Sequence, residues 1–114
     1  MLDTPTLLLD LNQLEKNIQD IIDFSQQHDV QYRPHIKTHK CVEIAKRQMK
    51  AGAVGITTAT VGEAEVMADA GIDNILIAYP IFTEEKLSRV LALLDKISVI
   101  VTVDSIEQAN KLHE

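Results

Sequence analysis

The chain has 114 residues, with 11 Lys and Arg against 17 Asp and Glu, for a formal net charge of −6. A hydrophobic share of 46% beside 25% charged residues is that of an ordinary globular chain and argues against a disordered tail. The longest apolar runs, Thr6 to Leu9 and Ile97 to Val101, are far too short to span a bilayer, and an acidic pI of about 5.1 speaks against a nucleic-acid partner.

In chain order, Met1-Leu2-Asp3 lacks the basic start of a secretory signal. Together with the single Cys41, which has no internal partner, this predicts a reducing, cytoplasmic setting. Thr6 to Asp10 (TLLLD) follows Pro5 as a short apolar run and predicts a strand. Leu11, Leu14, Ile18, Ile21 and Ile22 then share one helical face, so a helix is predicted to about His28, with Asp10 as N-cap. Val30 to Ile36 predicts a second extended stretch, because Pro34 does not fit a helix interior. A helix from about Cys41 to Gly52 comes next, then a strand at Ala53 to Thr58 and a helix at Val61 to Ala70 closed by Gly71. Asn74 to Ala78 predicts a fourth strand. Thr83 is placed to cap a helix carrying Leu87, Val90, Leu91 and Leu94 on one face. Lys96 to Val103 is the fifth strand signal, and Asp104 or Ser105 caps a last helix.

The strand starts recur roughly every 22 residues. Apolar strands joined by helices predict parallel pairing with both faces covered. Two α/β architectures fit this alternation, a doubly wound sheet and part of a (β/α)8 barrel of the TIM type. About four and a half βα units are present, where a whole barrel takes roughly 250 residues. The last helical pattern (Ile106, Ala109, Leu112) runs to Glu114 without a Gly or Asn stop, so a longer protein is expected.

One segment carries chemistry: Tyr32-Arg33-Pro34-His35-Ile36-Lys37-Thr38-His39-Lys40. On a strand, Arg33, His35, Lys37 and His39 would share one face, an expensive arrangement on a flanked sheet unless that face lines a site. Lys37 also falls where the strand should end, at the carboxyl edge where such sheets bind ligands. In a row of cations, each positive neighbour about 6.6 Å away would cost the ammonium form roughly 2.5 kcal/mol at an effective dielectric of about 20. The chemistry this suggests is attack of a neutral Lys37 amine on an aldehyde.

Other readings compete. The same cations would suit a solvated basic face, or a phosphate site built from Arg33, His35 and Lys40. His35 and His39, about 13 Å apart on a strand, are too far separated to share a metal, so no metal site is expected here. Thr57, Thr58 and Thr60 lie at the end of the third strand, where Thr60 suits a helix cap and the others a pocket wall. Glu63 and Glu65 suit the first turns of a helix. Cys41 has no paired base, and neither a dinucleotide nor a triphosphate loop motif occurs.

The segments TPTLLLDLNQLEKNI (4–18), RPHIKTHK (33–40), AGAVGITTATVGEAEVMADAGIDNILIAYP (51–80) and VTVDSIEQANKL (101–112) resemble one family. It is the D-threonine aldolase and D-serine dehydratase group of the alanine-racemase-like, fold type III pyridoxal-phosphate enzymes. The resemblance implies an N-terminal cofactor-bearing barrel with a C-terminal β-domain, and a Schiff base between Lys37 and pyridoxal 5'-phosphate. Lys37 is thus the expected catalytic residue, with Arg33, His35, Lys37 and Thr57 as expected cofactor contacts. The implied reaction is a lyase reaction on small D-3-hydroxy amino acids; an amino-acid racemase or a non-catalytic pyridoxal-phosphate carrier are the alternatives. A divalent metal and the main phosphate-holding loops would belong to chain beyond residue 114. Residues 1–114, as one partial barrel domain, are therefore expected to hold the cofactor weakly, to lack turnover, and to form homo-oligomers through open sheet edges.

Overall fold

The computed structural model describes residues 3–113. Five helices are present: α1 (Leu11–Gln27), α2 (Val42–Ala51), α3 (Val61–Asp69), α4 (Glu84–Leu94) and α5 (Ile106–His113). Three strands, β1 (Ile56–Thr58), β2 (Asn74–Ile77) and β3 (Ser98–Val101), form one parallel sheet in sequence order. Their register pairs Ile56 with Ile75, Thr58 with Ile77, and Ile77 with Val101.

The helices begin where side-chain acceptors meet their first free N–H groups. Asp10 accepts from the Gln13 N–H (3.0 Å), Thr60 from Glu63 (3.1 Å) and Thr83 from Lys86 (3.4 Å). Of the two candidates for α5, Ser105 makes the cap, accepting from the Gln108 N–H at 3.2 Å. α2 closes on Gly52, whose φ of +125° suits a residue without a Cβ.

Pleat alternation divides the sheet. Ile56, Thr58, Ile75 and Ile77 are buried on one face and Val99 and Val101 partly so; the core there is completed by Ala64 and Met67 of α3 and Val90 and Leu93 of α4. Each fully buried isoleucine contributes about 1.5–3 kcal/mol over an exposed one. α1 packs on α2 through Ile18 and Ile22, with Glu15 and Arg47 paired across the seam.

Three expectations need correction. Residues 6–10 form no strand: Leu7 is 99% and Leu8 78% exposed, and no ladder partner lies beside them among the described residues. Val30 to Ile36 is not a full strand either. It runs beside β1, with Val54 N–H donating to Tyr32 O (3.0 Å) and Thr57 N–H to Pro34 O (2.7 Å), but only His35 and Thr57 form a bridge. Pro34 has no N–H to give, and the chain then tightens into a 3-10 turn at Ile36–Thr38. Finally, the helices cover one face of the sheet, not both. The face of Leu76, Ser98 and Ile100 stays partly or wholly open, as the inner face of a barrel segment does.

Candidate active site at the carboxyl edge of the sheet

The parallel bridge of His35 with Thr57 fixes the height of the basic segment against β1. Residues after His35 therefore emerge at the carboxyl edge, and residues before it lie toward the amino edge. Ile36 turns inward and is fully buried in the helix-side core, which anchors the 3-10 turn. Lys37, next in the turn, is exposed and makes no ion pair or side-chain hydrogen bond among the described residues. His35 Nδ1 accepts the Lys37 backbone N–H at 3.3 Å, leaving Nε2 as the ring nitrogen free to carry the proton. The structure thus brings Lys37, His35 and Thr57 to one edge.

Arg33 is not with them. Its guanidinium reaches the amino edge, donating to Asn74 Oδ1 (2.9 Å), to Asn74 O (3.3 Å) and more weakly to Ile56 O (3.4 Å). A Cβ on Gly55 would collide with that guanidinium and with the Asn74 carbonyl, so glycine makes room for it. Arg33 thereby joins the starts of β1 and β2. The row of cations on one strand face dissolves for the same reason, together with the 3-10 turn, which ends strand alternation at Ile36. Lys40 is also engaged, paired with Glu63 at 3.0 Å. A phosphate site made jointly by Arg33, His35 and Lys40 is therefore not assembled.

His39 turns away from the edge. Its Nδ1 accepts the Cys41 N–H at 3.0 Å, and its Nε2 is buried, as is Gln48 Oε1. Burial pulls the imidazole below the ordinary histidine range, against smaller opposing contributions from Gln48 and Cys41. No group of three His, Cys, Asp or Glu side chains converges as metal ligands among the described residues. Cys41 is half-buried and free, and its side chain caps nothing.

Glu63 has a larger part than its place in the first turn of α3 suggests. Its side chain is only 11% exposed; Oε2 accepts the Ala59 N–H at 2.7 Å while Oε1 meets Lys40. Burial alone would raise its carboxyl, but the Ala59 N–H and Lys40 outweigh that and hold it below the usual carboxylate range. The legible signal was the spacing Thr60-x-x-Glu63 of a capping box. No motif in the sequence marks Gln108. Fully buried, it donates to Ile81 O (3.0 Å) and Thr102 O (3.4 Å) and accepts from the Asp104 N–H (3.1 Å), fastening α5 to the ends of the sheet.

Beside the Lys37 edge, a cleft of about 370 Å³ opens between the β1–α3 and β2–α4 connections, lined among others by Thr60, Gly62, Tyr79, Lys86 and Arg89. Arg89 is committed to Glu65 through two hydrogen bonds, at 2.8 and 2.6 Å. Lys37 does not line this cleft; it is exposed on the 3-10 turn.

The family model described as "Alanine racemase, N-terminal domain" matches residues 9–114. The chain belongs to the alanine racemase N-terminal domain family. Among curated members of the wider group, a D-threonine aldolase of Arthrobacter sp. is 45% identical over 101 residues, covering 87% of this chain and 27% of the relative. A 3-hydroxy-D-aspartate aldolase of Paracoccus denitrificans is 39% identical over 103 residues, covering 90% and 26%. The crystal structure of D-threonine aldolase from Filomicrobium marinum superposes with a TM-score of 0.94 at 45% identity, over 96% of this chain and 30% of that one. The α/β sheet is accordingly the N-terminal part of the TIM-type barrel of the alanine racemase family. The chain spans less than a third of the length of these relatives.

Proposed function

We propose that the chain is the lysine-bearing part of a pyridoxal-phosphate-dependent lyase acting on D-3-hydroxy amino acids, with Lys37 as the attachment residue. The observation that carries this is the placement of Lys37: an exposed, unpaired amine on a 3-10 turn at the carboxyl edge, set there by buried Ile36 on one side. Support for the substrate class comes from the relatives, an aldolase for D-threonine and one for 3-hydroxy-D-aspartate. Bound pyridoxal phosphate supplies an aldehyde for a lysine amine and a conjugated ring that accepts electrons from an amino acid.

The residues present fit attachment. Lys37 offers the amine, and the Lys37 N–H to His35 Nδ1 hydrogen bond holds the base of that side chain in one orientation. Thr57, next to His35 in the ladder, puts a hydroxyl-bearing residue at the same level of the sheet. The ring and phosphate contacts, any divalent metal, and a C-terminal β-domain are assigned in this reading to chain outside residues 1–114. Residues 1–114 alone are expected to hold the cofactor weakly and to lack turnover.

The test is chemical trapping. Incubation with pyridoxal phosphate, borohydride reduction and peptide mass mapping should place an adduct on Lys37 that Lys37→Ala removes. Labelling no greater at Lys37 than at Lys16 or Lys50, two exposed lysines of the helices, would refute the assignment.

A further inference from the structure

Two lysines of the basic segment, three residues apart, could in principle form a bond to an aldehyde, and the fold treats them differently. Lys37 is left free on the 3-10 turn. Lys40 follows in a left-handed backbone conformation, φ +48°, that a lysine rarely adopts. Its N–H donates to Ile36 O at 2.8 Å, closing the turn, and its Nζ reaches Glu63 at 3.0 Å. Glu63 is in turn fixed by the Ala59 N–H, the first residue after β1, so the carboxylate joins the end of β1 to the end of the basic segment.

We infer that Glu63 is a positioning residue that selects Lys37 over Lys40: by pairing with Lys40 Nζ while held by the Ala59 N–H of the β1–α3 connection, it presents one amine, not two, at the carboxyl edge. This rests on the attachment reading above and deepens it. Two features separate Glu63 from an ordinary surface partner. Its side chain is nearly buried although that of Lys40 is 64% exposed, and one carboxylate spans two segments distant in sequence. Glu65, two residues on in α3, offers the contrast: it pairs with Arg89 on α4 and touches nothing at the edge.

The experiment is partition of label between the two lysines. In the reaction, a neutral lysine amine attacks the aldehyde carbon of pyridoxal phosphate, water leaves, and borohydride delivers hydride to the C=N carbon, leaving a stable secondary amine. Peptide mapping then counts adducts on Lys37 and Lys40 in the unaltered protein, in Glu63→Gln and in Glu65→Gln. Glu63→Gln keeps an acceptor for the Ala59 N–H but removes the charge. It should raise the share of label on Lys40 about two- to fivefold, the size expected of a partly exposed ion pair. Amide hydrogen exchange at residues 37–41 should also quicken in Glu63→Gln, with the circular dichroism unchanged, while Glu65→Gln moves neither. A label share that stays the same in Glu63→Gln, with Lys37 labelled in the unaltered protein, overturns the selection by Glu63 alone. Absence of Lys37 label from the unaltered protein overturns the attachment reading, and the selection with it.

Discussion

Single side chains at the carboxyl edge divide by what they are paired with. Lys37 is unpaired among the described residues, Lys40 is held by Glu63, and Arg33 is spent at the far edge on Asn74. The titration of two of their neighbours follows from burial and bonding. His39 is held below its ordinary value mainly by burial, so the folded state resists protonating it. Stability from the neutral ring is present above about pH 6.5 and is lost as pH falls through the folded-state value. A proton NMR titration should give His39 a midpoint below the ordinary histidine value; a midpoint at or above that value would contradict the burial argument. Glu63 is the reverse of a raised acid. Its carboxyl sits lower in the folded chain than in the unfolded one, so its contribution is present above about pH 4.3 and lost as pH falls through the folded-state value. Glu63→Gln should flatten the acid limb of the stability profile, measured by chemical denaturation between about pH 5 and 2.5.

At the level of elements, the chain's helices are set by short capping signals and the strands by neighbours. Thr60→Ala removes the acceptor at the start of α3 and should cost about 1 kcal/mol in urea unfolding, while Thr60→Ser should cost a few tenths. Gln108→Leu keeps the bulk but strands the Ile81 and Thr102 carbonyls and the Asp104 N–H, and a loss of about 2–3 kcal/mol is expected. A variant as stable as the parent would show that water reaches those groups. The strands explain where sequence periodicity misled. TLLLD has the composition of a strand, but composition cannot supply the ladder partner that residues 6–10 lack among the described residues. Val30 to Ile36 reads as one extended run, yet Pro34 has no N–H to give and the chain tightens into a turn at buried Ile36, so only His35 bridges β1.

For the whole molecule, the decisive fact is a sheet with one covered face. Leu7, Leu8 and Ile100 are exposed, and β3 has no strand on its outer side among the described residues. Open strand edges and bare apolar side chains favour pairing with another chain. The 114-residue chain should therefore associate as concentration rises in sedimentation velocity, and Leu8→Lys with Ile100→Lys should weaken that association. A monodisperse monomer at high concentration would show that these surfaces do not drive self-association. Gly55→Ala acts at the same scale, forcing Arg33 off the starts of β1 and β2, and should lower the thermal midpoint by several degrees.

The sequence by itself determined the helices and their caps, the last three strands, and Lys37 as the residue of interest, because capping and periodicity are local and the motif is contiguous. The Glu63 partnership was half legible, since Thr60-x-x-Glu63 announces a cap but not the lysine on its other side. Only the tertiary structure decided that Arg33 and Lys37 point to opposite edges, that Lys40 is paired, and that Gln108 closes the end of the sheet. Each of these depends on the bridge between His35 and Thr57 or on contacts across more than twenty residues, where side-chain spacing along the chain no longer tells which groups meet.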